Sequence, residues 1–160
     1  MVDKAIDQHK QQVTSLEASR IAVIQERLTL IVIAAWISSS DLTVKVVDPT
    51  RAGFYHRRTY FELGLILAVS TAVAFVVPLA RSRITTAGAG LMVGGGVGNG
   101  LSIAIFPLGV PNPFTITEAG WTIAFNLADV AVVLGFVLMS IGVLGLARER
   151  KDELRDPVGH

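Results

Sequence analysis

Residues 121–147 read WTIAFNLADVAVVLGFVLMSIGVLGLA, an apolar run broken by a single charge, Asp129. A helix rises about 1.5 Å per residue and a bilayer's hydrocarbon core is about 30 Å thick, so roughly 20 such residues cross it. The run stops at Arg148-Glu149-Arg150-Lys151. Working outward from it, three more segments pass the same test: Ile84 to Phe106, Tyr60 to Leu79, and Arg27 to Asp41 with a softer lead-in from Ile21. The second of these is closed by Pro78, Arg81 and Arg83. The expectation is an all-α integral membrane protein with four transmembrane helices.

Composition points the same way. Hydrophobic residues make up 51% of the chain and charged residues 17%, against about 25% charged in a typical soluble domain. The charges crowd into the first 27 residues, the stretch from Lys45 to Arg58, the pair Arg81 and Arg83, and the tail from Arg148. A net charge of +1 excludes a nucleic-acid partner of the basic-patch type. The chain has no Cys, which excludes disulfides, thiolate metal sites and cysteine nucleophiles. His9, His56 and His160 lie outside the spans without metal-ligand spacing, so neither a metal nor another cofactor is expected. The first 20 residues are polar and hold no apolar signal-peptide core, so the first span is expected to stay as an anchor. Arg outnumbers Lys, and Ala, Val and Gly abound, which suggests a GC-rich bacterial genome.

Lys and Arg in the flanks predict orientation. Lys4, Lys10, Arg20, Arg27, Arg81, Arg83, Arg148, Arg150, Lys151 and Arg155 fall on one side; Lys45, Arg51, Arg57 and Arg58 fall on the other. Ten against four predicts cytoplasmic termini, with Arg57 and Arg58 running against the rule. The domain reading is a cytoplasmic N-terminal helix over residues 1–20, a transmembrane domain over 21–147 and a cytoplasmic tail over 148–160.

Val2, Ile6, Val13, Leu16 and Val23 stand three to four residues apart, with His9 and Arg20 in the gaps of the stripe. This spacing predicts an amphipathic helix continuing into the first span. It lies on the membrane, frays in water, or packs on a partner protein. In the first outer loop, Asp48 to Gly53 reads as a turn. Thr43, Val44, Val46 and Val47 before it and Phe54 and Tyr55 after it favour strand, so a short hairpin is expected there. Pro107, Pro111 and Pro113 make the second outer loop extended.

Inside the spans, Gly90, Gly94 and Gly98 recur every four residues, a spacing that lets another helix approach closely. Asn99, Asn126 and Asp129 are polar where the surroundings are apolar. A carboxylate at mid-helix costs roughly 2.5–3.5 kcal/mol on insertion scales and less near a helix end, so it faces the bundle interior or a wet cavity. Asp129 reads equally as a hydrogen-bonded bundle acceptor or as half of a catalytic pair.

Two motifs carry a resemblance. Gly94-Gly95-Gly96-Val97-Gly98-Asn99 resembles the glycine-rich motif of lipoprotein signal peptidase (signal peptidase II), and Phe125-Asn126-Leu127-Ala128-Asp129 resembles that family's Phe-Asn-x-Ala-Asp motif. Asp41 and Lys45 keep the family's Asp-to-Lys spacing of four. The likeness is good from Ile84 to Lys151 and faint before it. It implies a four-helix aspartic peptidase of the bacterial inner membrane that cuts signal peptides from lipid-modified prolipoproteins. In such a site two nearby carboxylates have split pKa values, one serving as base toward water and the other as acid.

The chain departs from that pattern. The resemblance places the first catalytic Asp three residues after Asn99, where Ser102 stands, followed by Ile103 instead of an Arg. Asn112 stands in the loop where the family tends to carry another Asp, and Arg58-Thr59-Tyr60-Phe61-Glu62 replaces an Asn-x-Gly-Ala-Ala-Phe stretch. Only Asp129 keeps a catalytic position. The expectation is therefore a non-catalytic relative, with Asp129 and Ser102 vestigial and Asn99, Asn126, Asp41 and Lys45 forming a polar cluster. It would act as an accessory subunit of a larger envelope complex, among lipids and other membrane subunits, in lipid transport of the Mce importer type for example. Two alternatives remain open. One is an active peptidase that pairs Asp129 with Asp41, Asp48 or Glu118, and the other is a small oligomeric transporter.

Overall fold

The computed structural model describes residues 2–48 and 54–155. The elements run α1 (Val2–Val47), β1 (Tyr55–His56), α2 (Tyr60–Val76), α3 (Arg83–Ile105), β2 (Val110–Pro111), β3 (Phe114–Glu118), β4 (Trp121–Phe125) and α4 (Leu127–Arg155), with a 3₁₀ turn Val77–Ala80 closing α2. The four long helices are each apolar enough to cross a membrane. The chain is an all-α integral membrane protein with two small sheets at one end.

The helix ends follow from local chemistry. Thr59 caps α2: its hydroxyl accepts from the Glu62 amide at 3.2 Å while a Glu62 carboxylate oxygen accepts from the Thr59 amide at 2.6 Å. This reciprocal Thr-x-x-Glu box satisfies two otherwise unpaired amide donors and explains a charge in the first turn of a span. Pro78 ends the helix by removing a donor, and Arg81 then turns left-handed at φ 54°. Ser82 caps α3.

α3 is the central helix, packed against the other three, whereas α2 leans on α3 and buries no residue. Glycine makes the packing close. A Cβ on Gly88 would lie 2.5 Å from the Met139 amide nitrogen and 2.6 Å from the Gly135 carbonyl, so α3 and α4 touch backbone to backbone. Gly90, Gly94 and Gly98 face α1: Ile33 and Leu30, then Ala34 and Ile37, then Asp41. Without a hydrophobic drive between helices in lipid, such contacts are what hold a bundle together. The outer surface is apolar, with Val32, Trp36, Phe75 and Phe136 exposed, as a lipid-facing surface requires.

Four sequence expectations change. Thr43 to Val47 is the last turn of α1 and not a strand: β propensity yields because Lys45 and Asp41 are held on one helical face. Tyr55–His56 pairs antiparallel with Val110–Pro111 of the other loop, so no local hairpin with Thr43–Val47 forms; the turn at 49–53 lies outside the described residues. The hairpin belongs to the second loop, where β3 and β4 pair from Phe114↔Phe125 to Glu118↔Trp121 around Ala119 and Gly120, both at positive φ. That loop is extended, as its prolines predict. It also takes Trp121 to Phe125 out of the fourth span, which starts at Leu127 because Asn126 caps it there. α1 is continuous through residue 20 and α4 through residue 147.

Gly88→Val is expected to lower stability by about 1–3 kcal/mol, the usual cost of overpacking, because backbone on α4 cannot yield to the new methyls. Gly145→Ala, which meets nothing within 4 Å, is expected to be neutral or slightly stabilising. Thermal unfolding of the two variants in mild detergent checks the pair.

Candidate functional site

At the strand-bearing end of the bundle, the polar residues of three helices meet. Asp41 and Lys45 stand one turn apart near the end of α1, on the face turned to α3 and α4. The Lys45 ammonium donates to Asp41 Oδ2 at 2.5 Å, to Asn99 Oδ1 at 3.0 Å and to Ser102 Oγ at 2.9 Å. Both side chains of the Asp41–Lys45 pair are wholly buried. Ser102 in turn donates to the Gly98 carbonyl at 2.7 Å. Gly98 has no alternative here, since a Cβ on it would sit 2.8 Å from Asp41 Oδ2.

The start of α4 completes the cluster. Asn126 Oδ1 accepts from the Asp129 amide at 3.0 Å, and Asp129 Oδ2 accepts from the Asn126 amide at 3.1 Å. This is a capping box built from Asn and Asp. Asp41 Oδ1 reaches the next free donor, the Ala128 amide, at 2.9 Å. Two carboxylates thus sit at one helix N-terminus, where the unpaired amides and the helix dipole favour negative charge. Asn99 joins the halves, accepting from Lys45 and donating to Asp129 Oδ1 at 2.9 Å. Asn126 also donates to the Pro111 carbonyl at 3.3 Å and to Asn112 Oδ1 at 2.7 Å, which fastens the second loop over the cluster. Val110 of that loop is fully buried.

The six sequence-selected polar residues therefore come together, but not in the expected order. Ser102 faces Lys45 and not Asp129; Asn99 stands between them. Asn112 is the loop residue brought to the neighbourhood of Asp129, one side chain away through Asn126. Of the rescue candidates, Asp41 has both oxygens occupied by Lys45 and Ala128, while Asp48 and Glu118 are exposed. Among the described residues no cluster of His and carboxylates suits a metal ion.

One residue escaped the sequence reading. Arg58, noted there as a charge on the unexpected side and as the first residue of a stretch that departs from the family motif, lines a cleft of about 300 Å³ with Asn99 and Asp129. Its Nε is buried without a hydrogen-bond partner. Through Ile66, Gly96 and Val132 the cleft meets an apolar groove of about 200 Å³, lined further by Leu65, Val69, Val73, Met92 and Val93. The groove lies between the loosely packed α2 and the α3–α4 pair.

These features define a membrane-embedded helical bundle with a buried carboxylate–amide–ammonium network opening on an amphiphilic cleft. A family model, signal peptidase (SPase) II, matches residues 22–145. The chain belongs to the signal peptidase II family. A search of curated proteins gives no significant match.

Replacing Lys45 with Met leaves Asp41 charged, buried and short of a partner. Breaking a buried pair in this way costs about 3–5 kcal/mol. The double variant Asp41→Asn with Lys45→Met removes both charges and is expected to recover more than half of that loss. Ser102→Ala leaves one buried ammonium proton without an acceptor and is expected to cost about 1.5–3 kcal/mol. Denaturation in detergent of the three variants orders them.

Proposed function

We propose that this chain is a non-catalytic member of its family that serves as an accessory subunit of a larger complex in a bacterial inner membrane, with both termini in the cytoplasm. The observation that carries the reading is the use made of Asp129. One of its oxygens accepts from Asn99 and the other completes the cap of α4. An aspartic peptidase needs two carboxylates that share a proton across an attacking water. The side chains around Asp129 are instead amides and cations: Asn99, Asn126, Asn112 and Arg58. Asp41 gives its two oxygens to the Lys45 ammonium and the Ala128 amide. Lys45 gives all three ammonium protons to oxygen, so it is no base toward the Ser102 hydroxyl either.

What remains suits binding. The groove between α2, α3 and α4 is apolar, and the cleft at its end holds Arg58, an arrangement fitted to an acyl chain under a polar head. This supports a role beside lipids, and a lipid importer of the Mce type is the first host to examine.

The purified chain is expected to leave a diacylglyceryl-modified prolipoprotein uncut, and Ser102→Asp is expected to stay inactive because the new carboxylate pairs with Lys45. Cleavage that disappears in Asp129→Asn would overturn the reading. Purification from native membranes in mild detergent is expected to bring other membrane subunits with the chain. A lone monomer would remove the accessory role.

A further inference from the structure

From Leu127 to Ala147, α4 carries no charge but Asp129. At the standard rise that stretch measures about 31 Å, close to the hydrocarbon thickness of a bilayer. The start of α4 therefore stands at one face of the hydrocarbon layer. The β3–β4 hairpin, joined to α4 through Asn126, stands at the level of the lipid headgroups. Tyr60, exposed in the first turn of α2 at the same end, sits where interfacial aromatic residues gather.

The register sorts the hairpin's side chains. Successive residues of a strand alternate faces, and residues directly opposite share one. Phe114↔Phe125, Ile116↔Ile123 and Glu118↔Trp121 fall on one face, Thr115↔Ala124 and Thr117↔Thr122 on the other. The first face is apolar as far as Glu118 at the turn. The second is lined by threonine, with the Thr117 and Thr122 hydroxyls bonded at 3.0 Å. The apolar face is uncovered: Ile123 is 66% exposed and Trp121 81%. Among the described residues no other helix or strand packs extensively on β3 or β4, and a lone two-stranded hairpin is marginal in water. Its base is fixed, because Asn126 at one root donates to Asn112 near the other at 2.7 Å.

We infer that the apolar face of this hairpin lies flat on the bilayer, in the headgroup layer, with lipid as its occupant. Two features of the fold select lipid. Phe125, at the root of the apolar face, borders a hollow of about 290 Å³ with Val130, Val133 and Leu134 of α4. Those three are exposed on the flank that faces lipid, so the two apolar surfaces are continuous. Each strand also has one edge without a strand partner. Unpaired backbone groups are excluded from hydrocarbon but are satisfied by water among headgroups. The Trp121 ring with its N–H donor suits the same layer, and the threonine face turns to water. Upright, five residues at about 3.4 Å each would lift Trp121 roughly 17 Å into water. Lying flat, the hairpin holds the Asn112–Asn126 clasp, and with it the cap of α4, against the membrane. This holds whether the chain works alone or in a complex.

The test uses the full chain with Trp36→Phe, which leaves Trp121 as the sole tryptophan. It is reconstituted in vesicles of phosphatidylethanolamine and phosphatidylglycerol without other protein, with iodide on both sides of the membrane. Trp121 emission is expected to lie to the blue of free tryptophan amide and to resist iodide several-fold better. Lipids brominated near the glycerol end of the acyl chain are expected to quench it more than lipids brominated at the far end. Ile123→Asp, on the apolar face, is expected to restore iodide quenching, and Thr117→Asp, on the other, to leave it unchanged. Emission and iodide quenching equal to those of free tryptophan amide in the Trp36→Phe chain overturn the inference. Shielding from iodide without quenching by either brominated lipid indicates contact between copies and overturns it as well. Bromolipid quenching that survives Ile123→Asp and is lost in Thr117→Asp overturns the choice of face.

Discussion

The Lys45 ammonium has three protons to place in a setting without water, and the fold gives each one an oxygen: Asp41, Asn99 and Ser102. Much of the bundle's strand-bearing end follows from that requirement. Asp41 must stand one turn before Lys45, so the last turn of α1 is helical despite its β-branched residues. Gly98 must lack a side chain so that Asp41 can fit. The second oxygen of Asp41 goes to the Ala128 amide and so pins the start of α4. An unpaired charge buried at this depth costs several kcal/mol, which makes these placements mutually dependent.

The same network bears on chemistry. The residues that resemble a peptidase's are present, yet each is engaged in holding helices together. Asp129 caps α4 and receives Asn99; Asn126 caps the same helix and holds down the loop. In the proposed reading this is a scaffold kept after its reaction was given up. The amphiphilic cleft beside it, lined by Arg58, Asn99 and Asp129, runs into the apolar groove at Ile66, Gly96 and Val132.

The spans were legible because lipid imposes a simple rule of length and polarity, and Tyr60–Val76 and Arg83–Ile105 fall close to where the apolar runs place them. At the strand-bearing end the structure departs from the sequence reading in two places. Thr43 to Val47 has strand propensity that a buried ion pair overrides, and Trp121 to Phe125 is apolar enough to extend a span but pairs with Phe114 to Glu118 instead. The Thr59–Glu62 box stood in the sequence as a recognisable signature and marks the start of α2. Arg58 carried no local signal at all, since its place beside Asp129 depends on how α2 leans on α3.

The sequence by itself determined four membrane spans, the glycine face of α3 and the polar residues that belong inside, because hydropathy and small-residue spacing are properties of single helices. Only the tertiary structure decided who pairs with whom. Ser102 could be judged from the sequence as a substitution in a motif, but its partner could not. Hydrogen bonds within a bundle are set by which helix faces are turned together, and that arrangement gives Ser102 to Lys45 and leaves Asp129 among amides.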